Sequence, residues 1–129
     1  MQTFFLRTTL AGALFAAAFA LPALAADPAM VGESSAGQIL VDHNGMTLYT
    51  FDKDADGKSA CNGECAVNWP PLKAEAGAMG AGDYSVITRD DGSLQWAYKG
   101  KPLYLWVKDK APGDITGDKV KDVWHIVAP

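Results

Sequence analysis

Residues 49–54 read Tyr-Thr-Phe-Asp-Lys-Asp, and residues 104–109 read Tyr-Leu-Trp-Val-Lys-Asp. The pattern Tyr-x-aromatic-x-Lys-Asp therefore occurs twice, and every matched position keeps one constant offset in residue number (104 − 49 = 55). Self-similarity at a fixed period is the sequence sign of one supersecondary unit used twice. The chain is therefore predicted to be one small domain made of two similar halves. Three further pairs of identical residues keep the same offset: Gly45 and Gly100, Leu48 and Leu103, and Trp69 and Trp124.

The residues around the motif are typical of short strands separated by turns. Asn44-Gly45 lies between two β-prone runs, which is a strong hairpin signal because both residues tolerate a positive φ. No stretch beyond Ala25 has a convincing helical period, and 74–82 reads as a connection. We predict an antiparallel all-β domain of about six or seven strands. The β-prone runs are 39–41, 46–51, 84–88, 94–98, 103–107 and 123–127, which place the two repeats at about 38–72 and 93–127.

The motif side chains have a structural interpretation and a binding interpretation. Alternate residues of a strand share a face, so the tyrosine and the next aromatic residue should point the same way. The aspartate falls just past the strand, where a carboxylate can accept hydrogen bonds from turn amides. We expect an aromatic core with stabilised turns, and the alternative is a paired aromatic platform for a ligand. The motif residues are Tyr49, Phe51, Asp54, Tyr104, Trp106 and Asp109.

The segment 1–25 has the layout of a secretory signal peptide. Arg7 lies in a short polar start, 10–21 is an apolar run too short to span a membrane, and small residues precede a cleavage site after Ala25. Cleavage would leave 104 residues (129 − 25) and, without Arg7, 10 basic against 15 acidic residues, a formal net charge of −5. We expect a soluble periplasmic or secreted domain at 38–129, preceded by a flexible lead-in at 26–37, without stable membrane insertion. An acidic chain gives no electrostatic reason to bind nucleic acid.

The doubled motif and the block Cys-Asn-Gly-Glu-Cys-Ala-Val-Asn-Trp-Pro-Pro-Leu at 61–72 carry a family resemblance. Together they resemble bacterial predicted lipoproteins with a Yx(F/W/Y)xxD motif, described as a secreted repeat of unknown function. The resemblance covers about 38–127 and implies an exported location and a twofold repeat, with no established reaction. A lipoprotein needs a cysteine at its cleavage site, whereas the first cysteine here is Cys61. We therefore expect no lipobox and no lipid anchor.

Cys61 and Cys65 are the only two cysteines of the chain. Nearby thiols in an oxidising compartment usually pair, so a disulfide is expected, with Gly63 helping the chain to turn. So short a loop should fix local shape more than global stability. Two alternatives stay open. The pair could be a thiol–disulfide redox partner, although the usual helix-start context is not predicted, or a copper site with His43, His125 or methionine, none of which is regularly spaced from the cysteines.

An acidic loop is the second candidate site. Residues 52–57, Asp-Lys-Asp-Ala-Asp-Gly, match the first six positions of a calcium-binding EF-hand loop. The bidentate glutamate of position 12 is missing there, because Gly63 occupies that position and Glu64 follows one residue late. No helices are predicted on either side. The weak candidates for a hard cation such as Ca²⁺ are Asp52, Asp54, Asp56 and Glu64.

Trp69-Pro70-Pro71 is a third feature, since proline cannot donate to a ladder and belongs at a strand end or edge. Exposed, these residues would form a docking surface, but a buried Trp69 is the favoured expectation. The chain has no Gly-x-Ser-x-Gly or His-Glu-x-x-His motif. We predict a non-enzymatic exported domain with a binding or structural role and an unidentified periplasmic or envelope partner. Any chemical site is expected at 52–72, where the two copies differ.

Overall fold

The computed structural model describes residues 27–129, so the predicted signal peptide and its cleavage site lie outside the described residues. Its strands form three small antiparallel sheets, ordered β1-β2, β3-β7 and β4-β5-β6. The predicted all-β antiparallel class is confirmed. The elements are β1 Met30–Ser34, β2 Gly37–Val41, β3 Tyr49–Phe51, α1 Glu64–Asn68, β4 Tyr84–Thr88, β5 Leu94–Tyr98, β6 Lys101–Pro102, a 3-10 helix Val120–Asp122 and β7 Trp124–Ile126.

The predicted flexible lead-in contains a regular strand, so that expectation is wrong for residues 30–34. β1 pairs with β2 along its whole length, from Met30 opposite Val41 to Ser34 opposite Gly37. Ser34 closes the tight turn, because its Oγ accepts a hydrogen bond from the Ala36 amide at 3.1 Å. Met30 and Val31 are each 52% exposed. A strand with no buried face shows no apolar alternation, and only its pairing partner reveals it.

The two repeats interlock around an approximate twofold axis. Tyr49 N donates to Tyr104 O at 2.8 Å, and Tyr104 N donates to Tyr49 O at 2.9 Å. Tyr49 also pairs with Ile126 at the end of the second repeat, while Tyr104 pairs with Pro71 at the end of the first. Ile126 and Pro71 are themselves related by the repeat offset (126 − 71 = 55). Each motif strand therefore needs the other repeat to complete its backbone hydrogen bonds.

The predicted strand at 103–107 is not continuous. Tyr104 alone forms ladder pairs there, while Leu105 N donates to Pro70 O at 2.7 Å and Val107 N donates to Asn68 O at 3.1 Å. The facing segment contains Pro70 and Pro71, which have no amide hydrogen to return. The ladder therefore cannot run regularly on that side, although every apolar residue of the segment fits a strand pattern.

Two helical segments occur where no helix was expected. The helix α1 follows Gly63, whose φ is 60°, and ends where Trp69 N donates to Cys65 O at 2.8 Å. It has five residues, too few to show a hydrophobic period in the sequence. The 3-10 helix is shorter still, with three residues. Within residues 27–129, neither of these segments nor any other helix has the length and apolar character to cross a membrane.

Gly45 and Gly100, which the repeat offset relates, allow the two repeats to pack closely against each other. Gly45 has a φ of 85° and Gly100 a φ of 84°, which favour glycine. A Cβ atom at Gly100 would collide with the Asp56 side chain of the other repeat, and one at Gly45 would lie 3.2 Å from Pro112 Cβ. The loop after each motif thus packs on the hairpin turn of the other copy.

Candidate functional site

Four aromatic rings stack in one column across the boundary between the repeats. Phe51 stacks on Trp124 with ring centroids 4.2 Å apart, Trp124 on Trp69 at 3.8 Å, and Trp69 on Trp106 at 3.9 Å. The two inner planes differ by 2°. The outer rings match each other under the repeat offset (106 − 51 = 55), as the inner rings do. We call Phe51, Trp124, Trp69 and Trp106 the aromatic column.

The two motif tyrosines hold the column from its sides. Tyr49 meets Trp69 edge-on with centroids 5.4 Å apart, and Tyr104 meets Trp124 edge-on at 5.1 Å. Both tyrosines are completely buried. They belong to the core and do not form the exposed part of a ligand platform.

Each motif aspartate binds the tyrosine of the opposite copy. Tyr49 Oη donates to Asp109 Oδ2 at 2.6 Å, and Tyr104 Oη donates to Asp54 Oδ2 at 2.7 Å. Each carboxylate also accepts a turn amide, from Thr116 at 3.0 Å for Asp109 and from Ala60 at 2.7 Å for Asp54. The tyrosine and the aspartate of the motif therefore form two hydrogen bonds that cross between the repeats.

Burial governs the charge states of these pairs. Burial first, and the hydrogen bond to Asp109 second, raise the pKa of Tyr49 far above its ordinary value. Burial and the hydrogen bond to Asp54 do the same to the pKa of Tyr104. Burial also raises the pKa of Asp54, against the opposing effect of the bonds from Tyr104 and the Ala60 amide. Both phenols remain protonated donors at neutral pH, as a structural role requires.

All four rings of the column line one open groove of about 390 Å³, which we call the aromatic groove. Its inner rings are almost covered, at 5% exposure for Trp69 and 3% for Trp124, while Phe51 and Trp106 are half-buried. Of the aromatic residues in the motif, Phe51 and Trp106 therefore line the groove. The two motif tyrosines do not line it, and Trp69 and Trp124 line it instead. The other lining residues are Lys53, Glu64, Cys65, Asn68, Val120, Lys121 and Val123.

The walls of the aromatic groove come from the two helical segments. The helix α1 contributes three lining residues, and the 3-10 helix contributes Val120 and Lys121. Backbone strain accompanies the second wall, because φ is 69° at Lys119, 52° at Lys121 and 61° at Asp122. Such strain in non-glycine residues concentrates at functional sites. Nothing in the sequence signals it, since lysine is an ordinary residue for a turn.

Two lysines and one glutamate set the charge of the aromatic groove. Lys53 and Lys121 stand against Glu64, so the lining carries a net charge of +1 (2 − 1). The whole chain carries a formal net charge of −4. The groove is thus a locally positive site on an acidic protein, which favours an anionic ligand.

The predicted disulfide is confirmed, with Cys61 and Cys65 sulfurs bonded at 2.06 Å and Cα atoms 5.2 Å apart. Its two sulfurs differ in surroundings. Cys61 is completely buried, whereas Cys65 is half-buried and lines the aromatic groove.

Arg89 is a buried residue beside the disulfide that the sequence did not indicate. Its side chain is 4% exposed and donates to Gln95 Oε1 at 2.7 Å, Ser59 Oγ at 3.0 Å and the Cys61 carbonyl at 2.5 Å. Within the described residues, all its hydrogen-bond acceptors are neutral. Arg89 follows β4 beside a predicted turn, where an arginine is expected to face water.

The three aspartates at 52, 54 and 56 line one open cleft with Lys99 and Lys101, and each makes a different contact there. Asp52 Oδ2 contacts His125 Nε2 at 2.7 Å, and Asp54 is held by Tyr104 and the Ala60 amide. Asp56 lies against Gly100. Glu64 points instead into the lining of the aromatic groove. Across residues 27–129, no three His, Cys, Asp or Glu side chains are grouped to hold a metal ion. The calcium and copper candidates stay predictions from the sequence.

Trp69-Pro70-Pro71 does not form an exposed docking surface. Trp69 and Pro71 are buried, and Pro70 is half-buried. Trp69 is an inner ring of the aromatic column, and Pro71 pairs with Tyr104. The prolines mark the irregular edge of the ladder, as their missing amide hydrogens require.

The comparisons with known proteins agree with this twofold arrangement. A family model described as a secreted repeat of unknown function matches residues 30–73 and 85–128, two stretches that keep the repeat offset (85 − 30 = 55). No curated protein and no solved structure matches the chain. The two stretches contain both motif copies and all four rings of the aromatic column, and together they cover more than half of the chain. The chain therefore belongs to the family of secreted repeats of unknown function.

Proposed function

We propose that the protein is an exported, non-enzymatic binding domain whose aromatic groove takes a planar aromatic anion. The observation that carries this proposal is the lining itself: all four residues of the aromatic column line one open space of about 390 Å³, and the outer rings Phe51 and Trp106 are the more exposed. Small-molecule sites typically have ~300–1,000 Å³ and an apolar, aromatic lining with a few polar groups. The aromatic groove has this size and this composition.

The ligand class follows from the lining chemistry. Aromatic side chains attract flat rings through stacked or edge-on contacts. Lys53 and Lys121 supply positive charge at the rim, and the Asn68 amide can donate or accept a hydrogen bond. An anionic group on a planar ring system would meet the lysines while its ring covers the outer tryptophan or phenylalanine. The local surplus of positive charge also favours such a ligand over a cation.

The lining supports binding better than catalysis. Its titratable side chains are Lys53, Glu64 and Lys121, and all three are exposed. A nucleophile beside an oriented base is the usual sign of covalent catalysis. Among the residues that line the groove, no such pair occurs. The buried phenol hydroxyls of Tyr49 and Tyr104 donate hydrogen bonds to Asp109 and Asp54, and neither tyrosine lines the groove.

The test uses 8-anilinonaphthalene-1-sulfonate, an aromatic anion with a planar naphthalene ring, whose fluorescence rises in apolar surroundings. We expect saturable binding to the mature protein. Trp106→Ala should weaken binding about tenfold or more, since one aromatic contact is worth ~1–3 kcal/mol by alanine substitution. Lys53→Gln should weaken it a few-fold, as expected for an exposed charge. Unchanged affinity in both variants would refute the proposal.

Two controls separate specific binding from adsorption. N-phenyl-1-naphthylamine carries the same kind of ring system without the sulfonate, so Lys53→Gln should leave its binding unchanged. Lys101→Gln removes an exposed lysine that does not line the aromatic groove and should affect neither probe. Equal losses in Lys53→Gln and Lys101→Gln would indicate only a general charge effect.

Export to the periplasm is part of the same proposal. It rests on the sequence of residues 1–25 and on the small residues before the predicted cleavage site. N-terminal sequencing of the protein from a periplasmic fraction should begin at Ala26. A protein recovered with Met1 intact would contradict the export signal, whatever the groove binds.

A further inference from the structure

We infer that the Cys61–Cys65 disulfide is a thiol-exchange site, in which an incoming thiolate attacks Cys65 and Cys61 leaves as a thiolate. The unequal exposure of the two cysteine residues gives the direction of attack. Cys65 is half-buried and lines the aromatic groove, which gives an incoming group access to it. Cys61 is completely buried in the aromatic cluster and does not line the aromatic groove.

Arg89 supplies what the leaving sulfur needs. A nearby cation stabilises a cysteine thiolate and makes it the better leaving group. The buried Arg89 guanidinium donates to the Cys61 carbonyl and to Ser59 Oγ, and Ser59 Oγ in turn accepts a hydrogen bond from the Cys61 amide at 3.2 Å. Arg89 therefore holds a positive charge beside the residue that must carry the new negative charge.

Three carboxylates lie close enough to Arg89 to interact with its charge, but none of them accepts a hydrogen bond from it. Asp54 is reached through Tyr104, whose Oη is 2.6 Å from Ser59 Oγ and donates to Asp54. Asp90 and Asp91 lie on the exposed turn that follows Arg89, where Asp90 pairs with Lys58 and Asp91 accepts bonds from Ser93. These carboxylates have their own donors, whereas the Arg89 guanidinium bonds directly to the Cys61 carbonyl.

The surrounding structure tolerates opening of the bond. The disulfide joins cysteines with a sequence separation of only 4, so its loss frees little chain. Backbone bonds hold α1 independently, including Trp69 N to Cys65 O at 2.8 Å and Val67 N to Gly63 O at 3.2 Å. The rings of the aromatic column also stack directly on one another, with centroids 3.8–4.2 Å apart. A reduced protein should therefore stay folded and return to the oxidised form.

The reaction is an exchange with a low-molecular-weight thiol. Its thiolate RS⁻ attacks Cys65 Sγ, an RS–Sγ bond forms, the bond between Cys65 and Cys61 breaks, and the electron pair goes to Cys61 Sγ. A second thiolate then attacks the R sulfur and releases RSSR and the Cys65 thiolate. Two thiolates are oxidised to one disulfide, and the two electrons are taken up by the protein as the thiolates of Cys61 and Cys65. This activity needs access to Cys65 alone and does not depend on the ligand proposed for the groove.

The first experiment locates the attack. Oxidised mature protein is incubated with glutathione, quenched in acid, alkylated and digested, and the peptide carrying both cysteines is sequenced by mass spectrometry. We expect glutathione on Cys65 and the alkyl group on Cys61. The reverse assignment would overturn the inference. So would a reaction that appears only when urea unfolds the protein.

The second experiment tests Arg89 with a matched pair of variants. Arg89→Met should slow glutathione exchange about fivefold to tenfold, because the leaving thiolate loses its cation. Arg89→Lys, which keeps the charge, should stay within about threefold of the native rate. Near-ultraviolet circular dichroism checks that both variants are folded. Equal slowing in both would assign Arg89 a purely packing role and overturn its electrostatic part.

A third measurement covers the case in which Arg89→Met does not fold. In Cys65→Ser the only thiol left is that of Cys61, and its ionisation can be followed by the ultraviolet absorbance of the thiolate. We expect the thiolate to form at a pH below about 8.5, the ordinary value for a free cysteine. A buried thiol without a useful cation would ionise above that value, and this outcome would refute the role of Arg89. Binding of the naphthalene probes in the same variant reports on the groove separately.

Discussion

The loops that follow the two motif copies have the same structural role but are stabilised by different groups. Each loop must bring a tryptophan back to the aromatic column and satisfy the phenol of the opposite copy. The first, at 55–68, uses a disulfide, α1, the Ser59 hydroxyl and the buried Arg89. The second, at 110–123, uses neither sulfur nor arginine: Gly117 N donates to Tyr49 Oη at 3.1 Å, and a strained 3-10 helix leads into β7.

Gly117 shows how closely the second loop approaches the core. A Cβ atom there would lie 2.8 Å from a Trp69 ring atom and 2.9 Å from a Tyr49 ring atom. The offset pairs Gly117 with the exposed Asn62 of the first loop (117 − 55 = 62), which makes no such approach. Shared parts therefore build the fold, while the first loop holds its tryptophan with groups that can also react.

The largest expected effect comes from the inner rings of the column. Trp69→Ala and Trp124→Ala should each lower the free energy of unfolding by about 3–5 kcal/mol, as large aromatic truncations in cores do. Because both rings are stacked on two faces and met by a tyrosine, the two losses should agree within about 1 kcal/mol. Urea unfolding of the mature protein measures both. A large difference would show that the twofold packing is not matched by twofold energetics.

Reduction of the disulfide should have a smaller effect and should act on the first loop alone. Closing so short a loop is worth about 2 kcal/mol in the chain-entropy model. We expect the reduced protein to unfold at lower urea, with hydrogen exchange of backbone amides accelerating at 61–68 and staying unchanged at 116–123. Faster exchange in both loops would mean that the halves are coupled more tightly than the packing indicates.

The phenols offer a matched pair of gentler changes. Tyr49→Phe should cost about 1–3 kcal/mol, because it leaves the buried Gly117 amide without its acceptor and removes a donor from Asp109. Tyr104→Phe should cost less, since Ser59 keeps its bond from Arg89 and Asp54 keeps the Ala60 amide. Urea unfolding at pH 7 distinguishes them. A larger loss in Tyr104→Phe would contradict this ranking.

Alkaline titration tests the same two residues through linkage. The pKa values of Tyr49 and Tyr104 are raised in the folded protein, so the unfolded chain releases these protons first. Their contribution is complete below the unfolded pKa near 10 and is lost as pH rises above it, by about 1.4 kcal/mol per pH unit for each phenol. In Tyr49→Phe or Tyr104→Phe, the loss of stability per pH unit should be smaller by the contribution of one phenol. An unchanged slope between pH 10 and 11 in both variants would contradict buried, protonated phenols.

Some of the site could be predicted because its causes are local. The repeat, the turn glycines and the cysteine pair lie within short stretches, and the predicted disulfide and all-β class followed from them. The strand β1 and the helix α1 were not predicted, because neither has a recognisable local signal in the sequence. One has no buried face and the other only five residues, so neither leaves a periodic pattern.

The chain itself determined that one unit is used twice, with tyrosine, aromatic residue, aspartate and tryptophan recurring at one fixed offset. Tertiary structure alone decided that these units interlock, so that each tyrosine bonds the aspartate of the other copy. It also decided that four rings share a groove and that Arg89 lies beside Cys61. The reason is physical. Periodicity records which residues share a local geometry, whereas stacking, burial and the placement of a charge depend on segments far apart in the chain.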